Sequence, residues 1–189
     1  MARIPKVARS PKSAPERRGR SRPLPAQTEN LCLACTLCCN GGLFADLKLS
    51  PGDSYRLRHN SIFLSLTRSG KLTQPCQALC GPTCTIYSSR PDYCRRFECL
   101  LLKKAKEGQV SAAAALKVIR TARRRLVRAE QLLKALGDQD GESAVSVRFR
   151  RVARALETAP RDPAKAALYG ELTLAMHDLN HHLAEHFYS

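Results

Sequence analysis

The chain has 189 residues, with 32 Lys/Arg against 16 Asp/Glu for a formal net charge of +16, and only 5% of its residues are aromatic. That length allows a single domain with a modest core. No stretch approaches the ~20 apolar residues of a membrane span, and the first thirty residues lack the apolar run of a secretory leader. A soluble, reducing, cytoplasmic setting with no membrane partner is therefore expected.

Residues 1–30 carry eight Lys/Arg against Glu16 and Glu29, with five prolines and almost no apolar residue able to join a core. The composition predicts a disordered basic arm. Such an arm suits an acidic partner or nucleic acid, but it has no interleaved aromatic side chains, and a solvated tail is the simpler reading.

Residues 31–108 form a cysteine module, because all nine cysteines lie between Cys32 and Cys99. Four open the run as Cys32-x2-Cys35-x2-Cys38-Cys39, and Cys76, Cys80, Cys84, Cys94 and Cys99 follow. A disulfide framework and a metal site compete for such a set. The reducing setting and the odd count favour metal ligation. Phe44 to Leu49 predicts a short strand. Ser50-Pro51-Gly52-Asp53 predicts a helix start, with Ser50 as cap, Pro51 at the first position and Asp53 three residues after the cap. Ile62 to Leu66 and Lys71 to Gln74 are strand candidates around the Ser69-Gly70 turn. Ser88 to Pro91 opens another helix that runs toward Lys106, with Cys94 and Cys99 on or beside it. Those two lie five residues apart, about 500° around an ideal helix, so either the helix is irregular or they serve different metals.

The two blocks together, Cys32-x2-Cys35-x2-Cys38-Cys39 and Cys84-x-Ile86-Tyr87-x2-Arg90-Pro91-x2-Cys94-Arg95-x-Phe97-x-Cys99, with Cys76 ahead of the second, form one extended pattern. It resembles the CxxCxxCC family of cysteine-cluster proteins, also called YkgJ-like, over about residues 32 to 99. The resemblance implies a zinc- or iron-chelating domain whose metal ligands are Cys32, Cys35, Cys38, Cys39, Cys76, Cys84, Cys94 and Cys99. Cys80 has no place in the pattern, and a buried small hydrophobe is its default reading. Eight thiolates fit two tetrahedral zinc sites, two four-cysteine iron–sulfur clusters, or one polynuclear site. Adjacent Cys38 and Cys39 diverge, which favours an interleaved double site over two independent fingers. Soft thiolates suit zinc and iron alike. Arg90, Arg95 and Arg96 stand near Cys94, where their donors would offset thiolate charge or bond to sulfur, with a solvated basic helix face the simpler reading for Arg96. Tyr87 and Phe97 read as packing residues around the site.

Residues 109–189 read as a helical extension packed on the module. From Ser111 to Leu136 the apolar residues Ala115, Leu116, Ile119, Leu126, Leu132, Leu133 and Leu136 recur at helical intervals, with Arg120, Arg123, Arg124, Arg125 and Arg128 largely on the other side. Gly137 and Gly141 end that helix. A second runs from about Ala144 to Leu156, and Pro163 opens a third. In the last helix Leu172, Met176, Leu179, Leu183 and Phe187 form the apolar stripe, and His177, His181, His182 and His186 flank it. The expected fold is α+β and predominantly helical, a small metal-stapled Cys-rich module with short strands followed by a helical hairpin or small bundle.

The sequence carries no Gly-rich phosphate loop, no HExxH and no serine-nucleophile signature. The expected function is a metal-binding cysteine-cluster protein, holding zinc or iron or an iron–sulfur cluster and acting in redox or metal handling. Two alternatives accompany it. One is an iron–sulfur-dependent protein-modifying enzyme resembling flagellin lysine methylases, although nothing outside the cysteine block announces an S-adenosylmethionine site. The other is a zinc-stabilised nucleic-acid-binding module, whose binding would fall steeply with salt.

Overall fold

A computed structural model describes residues 25–59, 64–158 and 162–188. The first 24 residues of the expected arm, and Ile62 and Phe63 of the expected strand, lie outside them. The order is α1 (Pro25–Cys35), β1 (Asp46–Leu47), α2 (Pro51–His59), β2 (Leu72–Thr73), β3 (Leu79–Cys80), β4 (Thr83–Cys84), a 3-10 turn (Tyr87–Ser89), α3 (Asp92–Arg96), α4 (Leu100–Lys106), α5 (Ala112–Ala135), α6 (Val145–Thr158) and α7 (Pro163–His186). The result is a predominantly helical α+β fold with two short antiparallel pairs. Among the described residues no helix is long and apolar enough to cross a membrane.

The centre of the molecule is α5. Ser111 caps it by accepting a bond from the Ala114 N–H at 3.2 Å, satisfying one of the donors that a helix start leaves open. Ala115, Ile119, Ala122, Leu126, Ala129, Leu132 and Leu133 are all buried along one stripe. Alanine at three of those positions brings neighbouring helices close, and α7, α1, α6 and α4 all pack against α5. The α7 helix begins on Asp162, whose Oδ1 accepts bonds from the Ala164 and Lys165 N–H groups, and Pro163 sets the first helical φ. Its Leu172, Leu179 and Leu183 are at most 1% exposed. His182 joins this stripe instead of flanking it, its Nε2 lying 3.0 Å from the Val118 carbonyl oxygen.

One continuous apolar core joins α5, α6 and α7 to Leu31 of α1, Leu37 and Leu43 of the following loop, and Leu101 and Ala105 of α4. Leu47, Leu57, Leu72 and Ala78 are buried too, but outside that core, in a separate lobe. In this lobe β1 pairs with β2 in the register Asp46↔Thr73 and Leu47↔Leu72. The Ser69-Gly70 turn forms as the sequence suggests: Leu66 bridges Leu72, the Thr67 N–H bonds to the Lys71 carbonyl at 2.7 Å, and Gly70 takes φ 73°. Ser50 and Asp53 make a reciprocal cap on α2, with the Asp53 N–H on Ser50 Oγ at 3.3 Å and the Ser50 N–H on Asp53 Oδ2 at 2.8 Å.

Two expectations change. The helix α1 starts at Pro25, inside the segment read as an arm, and carries Cys32 and Cys35. The helix expected from Ser88 to Lys106 is three pieces: the 3-10 turn, α3, and α4 after a break at Phe97–Cys99, where Phe97 has ψ 125° and Cys99 ψ 161°. The break answers the angular problem of Cys94 and Cys99, since extended backbone re-aims the second thiol.

Candidate metal centre

The first cysteine block is shaped by a strained residue and a buried leucine. Thr36 terminates α1 with φ 57°, a left-handed conformation that a β-branched residue rarely adopts. Its carbonyl accepts the Cys39 and Asn40 N–H groups at 2.8 and 2.9 Å, and its own N–H bonds to the Cys32 carbonyl at 3.0 Å. Leu37, fully buried, anchors the loop in the core, and the Leu43 N–H closes it onto the Leu37 carbonyl at 2.9 Å. Two glycines then leave little room for a side chain, Gly41 against backbone just before α6 and Gly42 against the ends of leucine side chains. A Cβ on Gly41 (φ +81°) would lie 2.9 Å from Ala144 Cα, and one on Gly42 would lie 2.9 Å from Leu126 Cδ2. The loop is thus pinned to α5 and the start of α6, while its cysteines are left half-buried.

The second block is tied to the first by the backbone. The Cys76 N–H donates to the Cys39 carbonyl at 2.7 Å. The hairpin β3–β4, turning on Gly81 at φ 57°, pairs Leu79 with Cys84 and Cys80 with Thr83. A polar clamp then sets α3. Asp53 Oδ1 accepts the Asp92 N–H at 2.9 Å, and Arg56 bonds to both carboxylates, reaching Asp92 Oδ1 at 2.9 Å. Burial pushes the Asp53 carboxyl up, but the amides of Ser50 and Asp92, the Ser50 hydroxyl and the Arg56 charge outweigh it and hold the carboxyl below its ordinary range. Phe44 meets Tyr93 and Phe97 edge-on and those two stack, with ring centroids 5.0 to 5.8 Å apart, so Phe97 is the packing residue expected, whereas Tyr87 is exposed and is not.

The arginines meet one half of the expectation: the Arg90 charge favours the Cys94 thiolate, but their donors go to backbone carbonyls. Arg90 Nη1 bonds to the Tyr87 carbonyl at 2.7 Å and lies 3.7 Å over the exposed Tyr87 ring. Arg95 bonds to the Arg90 and Ser88 carbonyls at 2.9 and 3.2 Å. These side chains staple the turn before Cys94 and bond to backbone, not to sulfur, because the carbonyls of a 3-10 turn are within reach and need donors.

None of the nine cysteines is disulfide-bonded. Their mutual influences weight toward two groups, which Cys32 and Cys39 both bridge. Burial pushes the Cys35 thiol up to about 12, and Cys99 and Cys32 add to the rise. Cys38 is raised further still, by burial and then by Cys35, Cys99, Cys39 and Cys32. Cys39, raised to about 11 by burial, feels Cys76 and Cys84 next and then Cys32. Cys94, raised to about 12 by burial, feels Cys39, Cys76 and Cys84. Packing divides most of them the same way: Cys35, Cys38 and Cys99 lie against the apolar core, whereas Cys39, Cys76, Cys84, Cys94 and the exposed Cys32 do not. Neighbours Cys38 and Cys39 thus face different groups. Cys80 is exposed, stands in neither group, and is not the buried hydrophobe that was its default reading.

Backbone amides face several sulfurs. The Leu37 N–H acts on Cys35, those of Ala78 and Leu79 on Cys76, and those of Leu101 and Leu102, at the start of α4, on Cys99. Each favours a thiolate. Arg123 donates to the Ala34 carbonyl at 2.9 Å and also favours the Cys35 thiolate. The end of α7 closes the other side, with the Leu100 N–H on the Phe187 carbonyl at 3.1 Å and Tyr188 Oη on the Leu43 carbonyl at 3.2 Å. Clustered soft donors, held up by burial and mutual repulsion yet supplied with amide donors, fit a thiophilic cation, which removes the thiol protons and offsets the repulsion. As placed, no group of three or more Cys, His, Asp or Glu side chains among the described residues could hold a metal ion without moving.

Residues 31–115 match the family model CxxCxxCC, whose description is "Putative zinc- or iron-chelating domain". This segment is similar to the CxxCxxCC domain. The match runs past the last cysteine through α4 into the first turn of α5, the stretch whose packing fixes Cys99. No curated protein matches the chain significantly, and neither does any solved structure. The cysteine pattern announces this similarity directly. Thr36, Arg123 and the Asp53–Arg56–Asp92 clamp were not read as parts of the site; only the Ser50-x2-Asp53 cap offered a signal for the clamp. The C-terminal histidines form the pairs His177–His181 and His182–His186, with centroids 6.4 and 4.6 Å apart.

Proposed function

We propose that the chain binds two metal centres through eight cysteines and acts in metal handling or redox. Cys32, Cys35, Cys38 and Cys99 would hold one, the inner centre against the apolar core. Cys39, Cys76, Cys84 and Cys94 would hold the other, the outer centre in the lobe. The observation that carries this reading is the separation of adjacent Cys38 and Cys39 into different neighbourhoods, one packed on the core and the other bonded through its carbonyl to Cys76. Four thiolates satisfy tetrahedral zinc or one iron–sulfur cluster, and the amides facing Cys35, Cys76 and Cys99 would tune either. When bound, zinc would supply cross-linking, whereas an iron–sulfur cluster would supply electron transfer. The chain's own part is to gather the thiols, release their protons and exclude bulk water from Cys35 and Cys38.

The test is metal and acid-labile sulfide content of protein purified without air, for the wild type and Cys35→Ser. The wild type should carry about two metal centres. The variant should carry fewer and melt lower; equal metal content in both proteins would remove Cys35 from the ligand set.

A further inference from the structure

We infer that the outward face of α5 binds the phosphate backbone of a nucleic acid, seated along the hollow lined by Lys117, Arg120, Thr121, Arg123 and Arg124. The hollow is shallow, about 370 Å³, and four of its five lining residues are cationic with no carboxylate among them. Lys117, Arg120 and Arg124 follow one another at intervals of three and four residues, so they form a row at about one helical turn, ~5.4 Å, per charge. Charges so spaced on one helix face repel each other.

The fold does not explain that row. Elsewhere on the same helix, Arg125 donates to the Asp178 carbonyl at 2.7 Å and Arg128 pairs with Glu171 at 2.6 Å, each tying α5 to α7. Lys117, Arg120 and Arg124 make no ion pair among the described residues, and the contact of Arg124 is Thr121 Oγ1 at 3.4 Å. Arg123 alone has a structural bond, to the Ala34 carbonyl. A row of cations suits a repeating anion better than a single small one, and the guanidinium fork matches phosphate oxygens. No aromatic side chain lines the hollow to stack a base, so contact would be with the backbone and independent of sequence.

The experiment is fluorescence anisotropy of a labelled mixed-sequence DNA duplex of roughly 25 base pairs against the full-length, metal-loaded chain, titrated at several salt concentrations. Three proteins are compared: the wild type, the variant Lys117→Gln/Arg120→Gln/Arg124→Gln, and a charge-matched control, Lys103→Gln/Arg150→Gln/Arg154→Gln, that removes three exposed cations elsewhere. Losing three phosphate contacts should flatten the log–log salt slope by about 2.7, so between ~50 and ~200 mM salt the wild type loses about 40-fold more affinity than the α5 variant. The control should keep the wild-type slope. Equal slopes for the two variants would overturn the assignment to α5. Absent binding by the wild type at ~50 mM salt, or displacement by polyglutamate as effective as by unlabelled duplex, would overturn the nucleic-acid backbone as the occupant.

Discussion

The helical body and the cysteine lobe are built on opposite principles. Around α5 and α7 the chain buries leucine after leucine, with Leu133, Leu172 and Leu179 fully enclosed, and each such side chain contributes about 2 kcal/mol on burial. From Phe44 to Arg96 the strands are two residues long, and the buried apolar set shrinks to Leu47, Leu57, Leu72 and Ala78. What holds this lobe is mostly directional: the Asp53 clamp, the arginine-stapled turn, the edge-on contact of Phe44 with Tyr93 and, on the reading proposed here, the outer metal centre. Apolar burial gives the body stability that needs no ligand, whereas the lobe depends on a few directional contacts. The inner thiols sit where the two meet.

Metal removal should expose that contrast most strongly. Chelation is expected to cost the lobe most of its stability, on the order of several kcal/mol, while the amides of α5 and α7 keep their protection in hydrogen exchange. Simultaneous loss of protection in both regions would mean that they form one cooperative unit. The reverse perturbation is Leu133→Ala, which leaves a cavity at the centre of the body and should cost about 2–5 kcal/mol in denaturant unfolding. Because Leu43 and Leu101 share that core, metal affinity should weaken as well; unchanged affinity would show that the centres do not lean on the helices.

A smaller effect is expected from Asp53→Ala, about 1–3 kcal/mol, as the Ser50 and Asp92 amides lose their acceptor. It should be confined to the lobe and visible as altered exchange in α2 and α3. Its pH dependence has a definite sign. The folded pKa of Asp53 lies below the unfolded one, so its contribution is fully present above about pH 4 and disappears as pH falls through the folded value. Stability of the wild type should therefore fall in acid more steeply than that of Asp53→Ala, measured at matched denaturant. The finest comparison uses two glycines with positive φ. Gly137→Ala, at φ +90° with open space around it, should cost about 1 kcal/mol from backbone strain alone. Gly41→Ala adds a clash with Ala144 Cα at 2.9 Å and should cost roughly twice that, with reduced metal content, because it pries the Cys38-Cys39 loop from α6.

Much of this was legible in the sequence. The periodic stripe from Ala115 to Leu136, the Ser50 and Pro163 helix starts, and the cysteine spacing each rest on local rules that one chain displays. The doublet Cys38-Cys39 even suggested ligands shared between two centres. What stayed hidden depends on contacts between distant residues. Nothing near Cys99 announces that Phe187 and Tyr188 close over its side of the module, nor does anything near Ala34 announce Arg123. The angle between Cys94 and Cys99 offered an irregular helix as one outcome, but not where it breaks: the local residues are compatible with a helix, and the packing of Phe97 on Phe44 and Tyr93 overrides that preference. His182 was misplaced for a similar reason: a histidine can occupy a buried stripe when a carbonyl such as that of Val118 meets its ring nitrogen.

The central claim is that adjacent cysteines serve separate centres, and metal content per chain in Cys99→Ser, Cys94→Ser and the double variant tests it most directly. Each single variant should lose about half of the wild-type metal and retain the other half, and the double variant should be nearly empty. Complete loss in either single variant would mean one shared polynuclear site, and full retention in both would contradict the assignment of these thiols as ligands.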